Sequence, residues 1–113
     1  MAKAIFYQRG ESIDYRPAQA VAAGEVIVQG DLVGITRLDI PAGALGSLAI
    51  CGVFKVTKKD SVTFNVGDKV YWDASEGNAA SSGSVILGLA VAAASAGDSA
   101  VIVSLNNPAA FGA

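Results

Sequence analysis

Histidine is absent from this 113-residue chain, and with it go the commonest general base and the commonest transition-metal ligand. Cysteine occurs once, at Cys51, so no intramolecular disulfide can form. Flanked by Ile50 and Gly52, it reads as a small buried hydrophobe, since a reactive thiol needs a basic or helix-terminal setting that the sequence does not supply. Charge is scarce as well: 16% of residues are charged and 52% hydrophobic, against about 25% charged in an ordinary soluble domain. A surface so short of charge is expected to have apolar area covered by further copies of the chain or by a larger assembly. The net charge of −2 removes the broad attraction that drives binding to nucleic acid or anionic membrane. Lys55, Lys58 and Lys59 are the only local basic cluster, and three lysines near a turn read as a solvated edge that discourages strand pairing.

Long apolar stretches are missing too. The longest, residues 85–94, is about half of what a membrane-spanning helix needs. At the start, Ile5, Phe6 and Tyr7 run into the charged Arg9 and Glu11 rather than into a signal-like apolar segment, so the expectation is a soluble protein made in the cytoplasm. No G-x-x-x-x-G-K-[ST] phosphate loop occurs. Four of the ten carboxylates, Glu25, Asp31, Asp68 and Asp98, stand beside glycines, where turn chemistry is sufficient reason for them. Asp73, Ser75 and Glu76 around Gly77 fall short of the twelve-residue calcium pattern and read as a polar hairpin end. No catalytic residue, cofactor site or metal site is expected.

What the chain does have is a recurring unit of glycine, acidic residue and short β-rich run. It occurs at Gly24-Glu25, Gly30-Asp31, Gly67-Asp68 and Gly97-Asp98. Glycine supplies the turn's backbone angles, and the acid can bond the turn's own amides before the strand begins. Turns at such short spacing predict an all-β barrel or sandwich of short strands, of which a small β-barrel is the expectation taken forward. The spacings are irregular, so the recurrence reads as turn chemistry without a true repeat. Period-two alternation predicts strands over residues 62–66 and 101–105, with Val101, Val103 and Leu105 on one face. Over residues 85–91 the alternation places Ile86, Gly88, Ala90 and Ala92 on one face. Such small residues admit another backbone closely, either within the domain or across a boundary between copies. Gly88 and the β-branched neighbours favour strand over helix here. Tyr71 and Trp72 are adjacent, so on a strand they point to opposite faces, one to the core and one to a surface or interface.

The length corresponds to a single domain that buries roughly 65% of its unfolded surface. It divides into a possible N-terminal arm over 1–15, a β core over 16–105 and a flexible tail over 106–113. Residues 4–7 could pair as a short strand before the breaks at Gly10 and at Arg16-Pro17. The tail is expected to have little regular structure unless Phe111 docks.

In its order of motifs the chain resembles the capsid cement, or head decoration, proteins of tailed bacteriophages. The resemblance is carried by GESIDY (10–15), AGEVIV (23–28), LVGI (32–35), GVFKV (52–56), GDKVYWD (67–73), LGLAVAAA (87–94) and Gly97-Asp98. The residues after Leu105 depart from the pattern. Membership would imply a compact β-barrel or β-tulip domain without catalytic residues. It would form a homotrimer at three-fold positions on the outer surface of the expanded head, clamping neighbouring major capsid protein subunits, after synthesis in the host cytoplasm. On that basis Ala4, Ile5, Phe6 and Tyr7 are the candidate capsid-binding arm, adding a strand to an exposed edge of the capsid protein. Tyr71, Trp72, Gly88, Ala90 and Ala92 are the candidates for contact between copies.

A carbohydrate-binding or host-adhesion module displayed on the virion is the principal alternative. Its signature would be exposed aromatics on one face, and Tyr7, Tyr15 and Trp72 are few and scattered. A nucleic-acid-binding barrel lacks the positive charge for a stacking platform. A hydrolase lacks nucleophile, base and metal ligands.

Overall fold

The computed structural model describes residues 3–7 and 10–111. The chain is all-β, in two antiparallel sheets. β1 (Ser12–Tyr15), β2 (Val26–Gln29), β3 (Leu32–Thr36) and β4 (Gly46–Ala49) make a four-stranded sheet in the order β1-β4-β3-β2. β5 (Val53–Thr57), β6 (Lys69–Asp73), β7 (Asn78–Ala80), β8 (Ile86–Ala90) and β9 (Ala100–Leu105) make a five-stranded sheet in the order β5-β9-β8-β6-β7. Neither sheet closes into the expected barrel. The second comes nearest, because its two edges touch at an isolated parallel bridge between Lys58 and Ala79.

The two sheets are the same motif built twice. With β7 set aside, β5-β9-β8-β6 repeats β1-β4-β3-β2, strand for strand and antiparallel throughout. The bonds between strands repeat as well. Val21 and Ile40 bond each other reciprocally (3.0 and 2.9 Å), as do Phe64 and Ala94 (2.9 and 2.9 Å). Gly24 N donates to Thr36 O and Gly67 N to Ala90 O (2.7 and 2.8 Å). Gly43 N donates to Pro17 O and Gly97 N to Asp60 O (2.8 and 2.7 Å). The irregular spacings had argued against a repeat. They arise because the second motif carries an inserted loop with β7, where the first has only the two-residue hairpin turn Gly30-Asp31.

The turn chemistry is local and follows the sequence. Gly67 (φ 90) and Gly97 (φ 96) occupy the left-handed position of two matching type II turns. Asp68 N donates to Asn65 O and its carboxylate accepts from Asn65 N (3.1 and 2.7 Å). Asp98 does the same with Ser95 (3.1 and 2.8 Å). Residues 62–66 do not form the predicted strand: Phe64 alone bridges to Ala94, and Val66 is spent on the turn and left exposed.

The main core lies over the second sheet. Val56, Val70, Leu87, Val101, Val103 and Leu105 pack there with Phe64, and Val33 and Ile35 of β3 close it from the first sheet. β9 is buried on the predicted face. In β8 a register shift opposite Val70 and Tyr71 breaks strict alternation, so Leu87 and Ala90 both reach the core. Gly88 is the point of closest approach, since a Cβ there would collide with the carbonyl of Ser104 on β9.

Asn106 joins the two motifs. Its backbone takes a left-handed turn (φ 53), tolerable for Asn. Its N donates to Leu87 O, and its side-chain amide donates to both Val33 O and Ile50 O (2.8 Å each). The chain that follows is not the expected unstructured tail. Asn107 Oδ1 accepts from Ala109 N, Pro108–Phe111 form a 3-10 turn, and Ala110 is fully buried. The sequence cue was missed because an Asn-Asn-Pro segment reads as punctuation, whereas here the Asn106 amide finds partners distant in sequence and Asn107 bonds Ser104 and Ala109 locally.

Two outcomes test these contacts by urea denaturation. Gly88→Ala is expected to destabilise the protein by about 3 kcal/mol, since backbone must move to admit the methyl group. Gly34→Ala, which meets only the Leu48 side chain at under 3.0 Å, costs less. Asn106→Gly keeps the left-handed backbone and deletes the two amide donations, with an expected loss of about 2 kcal/mol.

Candidate functional site

Surface exposure divides unevenly between the motifs. Of the ten exposed large hydrophobics among the described residues, Ile5, Phe6 and Tyr7 lie in the N-terminal arm, and Val28, Leu32, Leu38 and Leu45 in the first motif. Only Val53, Val66 and Val91 belong to the second. Ile5, Phe6 and Tyr7 are 77–87% exposed, and residues 4–7 pair with no strand. Gln8 and Arg9 lie outside the described residues. β1, placed within the expected arm, is instead an edge strand of the first sheet, paired with β4.

The residues expected to meet another copy separate into two groups. Gly88 and Ala90 are buried inside the chain: the lack of a side chain at Gly88 admits β9, and Ala90 joins the core. Tyr71, Trp72 and Ala92 are half-buried. Trp72 packs against the core and, with Phe54, Val56, Val26 and Ile35, borders a cleft of about 150 Å³ between the sheets. Tyr7, Tyr15 and Trp72 therefore make no common aromatic platform.

A groove of about 630 Å³ runs along the first motif between Asp14, Arg37, Leu38, Ile40, Pro41 and Leu45. One of its two acids is engaged locally: Asp39 Oδ1 accepts from Ala23 N (2.8 Å). Among the described residues no cluster of three or more His, Cys, Asp or Glu could hold a metal, and no helix is long and apolar enough to cross a membrane.

Two side chains differ from their sequence reading. Cys51 is exposed rather than buried, because β4 ends at Ala49 and the thiol falls in the connection to β5. Lys58 is only 4% exposed. It stands at the bridge to Ala79, and its ammonium donates to Lys59 O and Val62 O (3.0 and 2.6 Å), so it closes one end of the core. Of the three lysines, Lys55 and Lys59 are solvated.

The Asp73 loop is the polar hairpin end that the sequence predicts. Asp73 Oδ1 accepts from Ser75 Oγ and N (2.6 and 3.0 Å), and the Ser75 hydroxyl, ahead of the backbone amides, holds its carboxyl below the usual value. Lys59 and Glu76 pair at 2.7 Å, which raises the Lys59 pKa.

The arm and the first motif thus carry seven of the ten exposed large hydrophobics among the described residues. Residues 7–105 match the family of phage cement proteins. The chain belongs to that family. No curated protein and no solved structure matches it. Membership associates this cement protein with the capsid of a virion and accords with a structural role.

The Asp73 contact is fully formed above the ordinary carboxylate range and lost as pH falls through the lowered value. Asp73→Ala is therefore expected to lower the melting temperature at neutral pH, with the difference from wild type vanishing in strong acid.

Proposed function

We propose that this cement protein is a non-enzymatic decoration protein that binds as a trimer at three-fold sites on the outside of the expanded phage head, stabilising contacts between major capsid protein subunits. The observation that carries the reading is the concentration of exposed apolar side chains on the arm and first motif, in a chain of a cement family. Covered in an assembly, such a surface contributes affinity; left in water, it is a liability. Residues 4–7 of each copy add as a strand to an exposed edge of the major capsid protein. One added strand supplying about 4 kcal/mol gives only mM affinity. Three on a single trimer act together, with each linkage multiplying binding by on the order of 10² to 10⁴. Weak contacts then give lasting attachment. Synthesis takes place in the host cytoplasm, and the trimer joins the head after expansion.

Co-sedimentation with undecorated heads tests this. Saturable binding to expanded heads, absent from unexpanded procapsids and in multiples of three per lattice site, is the expected result. Failure to bind either shell overturns it.

A further inference from the structure

Two hollows join into one trough on the first motif. The groove between Asp14, Arg37, Leu38 and Leu45 shares Ser12 and Arg37 with a second hollow, of about 380 Å³, that continues to Val53 and Phe54. Its floor is one face of the first sheet, where Ser12 and Asp14 of β1 stand opposite Ala49 and Ser47 of β4. Aligned by strand register and by the matching bonds of Gly43 and Gly97, Ser12, Asp14 and Ser47 take the places of Phe54, Val56 and Val101 in the second motif. Those three form or pack against the main core, so the second motif buries this face under its own side chains. The first leaves it open and makes it polar.

The trough has the composition of a protein contact. Leu38 and Leu45 stand at one end and Val53 at the other, each 60–76% exposed. Between them Arg37 lines both hollows. Among the described residues neither its guanidinium nor the Asp14 carboxylate has a hydrogen bond or ion pair, although the two line the same groove. Arginine is suited to hold a carboxylate through two parallel bonds, and apolar neighbours that exclude water strengthen such a contact. The complement of this trough is an extended segment with aliphatic side chains for Leu38 and Leu45, a carboxylate for Arg37 and a cation for Asp14.

The arm indicates whose segment it is. In the function proposed above, residues 4–7 pair with the major capsid protein. The chain from Tyr7 to Ser12 spans at most about 17 Å, and Ser12 lines both hollows. The capsid subunit that takes the arm therefore stands against β1. On the opposite face of β1, Ile13 and Tyr15 are already half-buried. The side that remains open is the trough.

We propose that the trough is a second point of attachment to the head, seating a segment of the same major capsid protein subunit that accepts the arm. Arg37 binds a carboxylate of that segment, and Leu38 and Leu45 cover its aliphatic side chains. A lone strand tethers the arm without orienting the domain; a second contact on the same subunit fixes how the domain sits. The inference rests on the head-binding reading above and adds a contact to it.

The test compares head binding by the full chain with that of Arg37→Glu and Leu38→Glu, whose side chains are exposed, alongside sedimentation of the free protein. Each variant is expected to bind expanded heads at least about tenfold more weakly while keeping the wild-type oligomeric state, and Val66→Glu, exposed on the second motif, to bind as wild type does. In a Cys51→Ser background, a benzophenone attached at Leu38→Cys is expected to cross-link to the major capsid protein on heads. Unaltered binding by both glutamate variants, or cross-links to a second copy alone, overturns the trough contact and leaves the cement reading standing. Failure of the wild-type chain to bind expanded heads overturns both.

Discussion

One amide group ties this protein together. The side chain of Asn106 donates to Val33 O and Ile50 O in the first motif while its backbone N donates to Leu87 O in the second. All three carbonyls lie at or next to strand ends, where a buried unpaired acceptor would be costly. Few other polar contacts run between the motifs, so the apolar contact of Val33 and Ile35 with the main core depends on Asn106 for its registration. The left-handed backbone at Asn106 also turns the chain into the 3-10 segment whose Ala110 seats against β8.

Duplication explains both the economy of the fold and its asymmetry. Each motif uses the same bridge, glycine turn and strand order, yet the two have been put to different ends. In the second, β7 and the Lys58–Ala79 bridge cover the edges, and a dense aliphatic core fills the interior. In the first, the same edge is bare and four large hydrophobics stand in solvent. A more fully covered body and a face with more exposed apolar side chains are thus made from one topology, separated by one inserted strand. For a cement protein this is a coherent division, because attachment requires unsatisfied surface and survival before attachment requires a satisfied core.

The all-β class, the turns at Gly67-Asp68 and Gly97-Asp98 and the buried face of β9 were all legible in the residues. Each depends on neighbours a few positions away: alternation has a period of two, and an Asp caps an amide three residues back. The sequence alone determined that much. Tertiary structure decided that Lys58 is buried and Cys51 exposed, that Gly88 and Ala90 are buried within the chain, that residues 62–66 bridge once instead of forming a strand, and that the motif occurs twice. Those outcomes turn on which distant segment lies alongside. Burial and edge coverage are long-range quantities, and the insertion carrying β7 erased the even spacing by which a sequence would have disclosed the repeat.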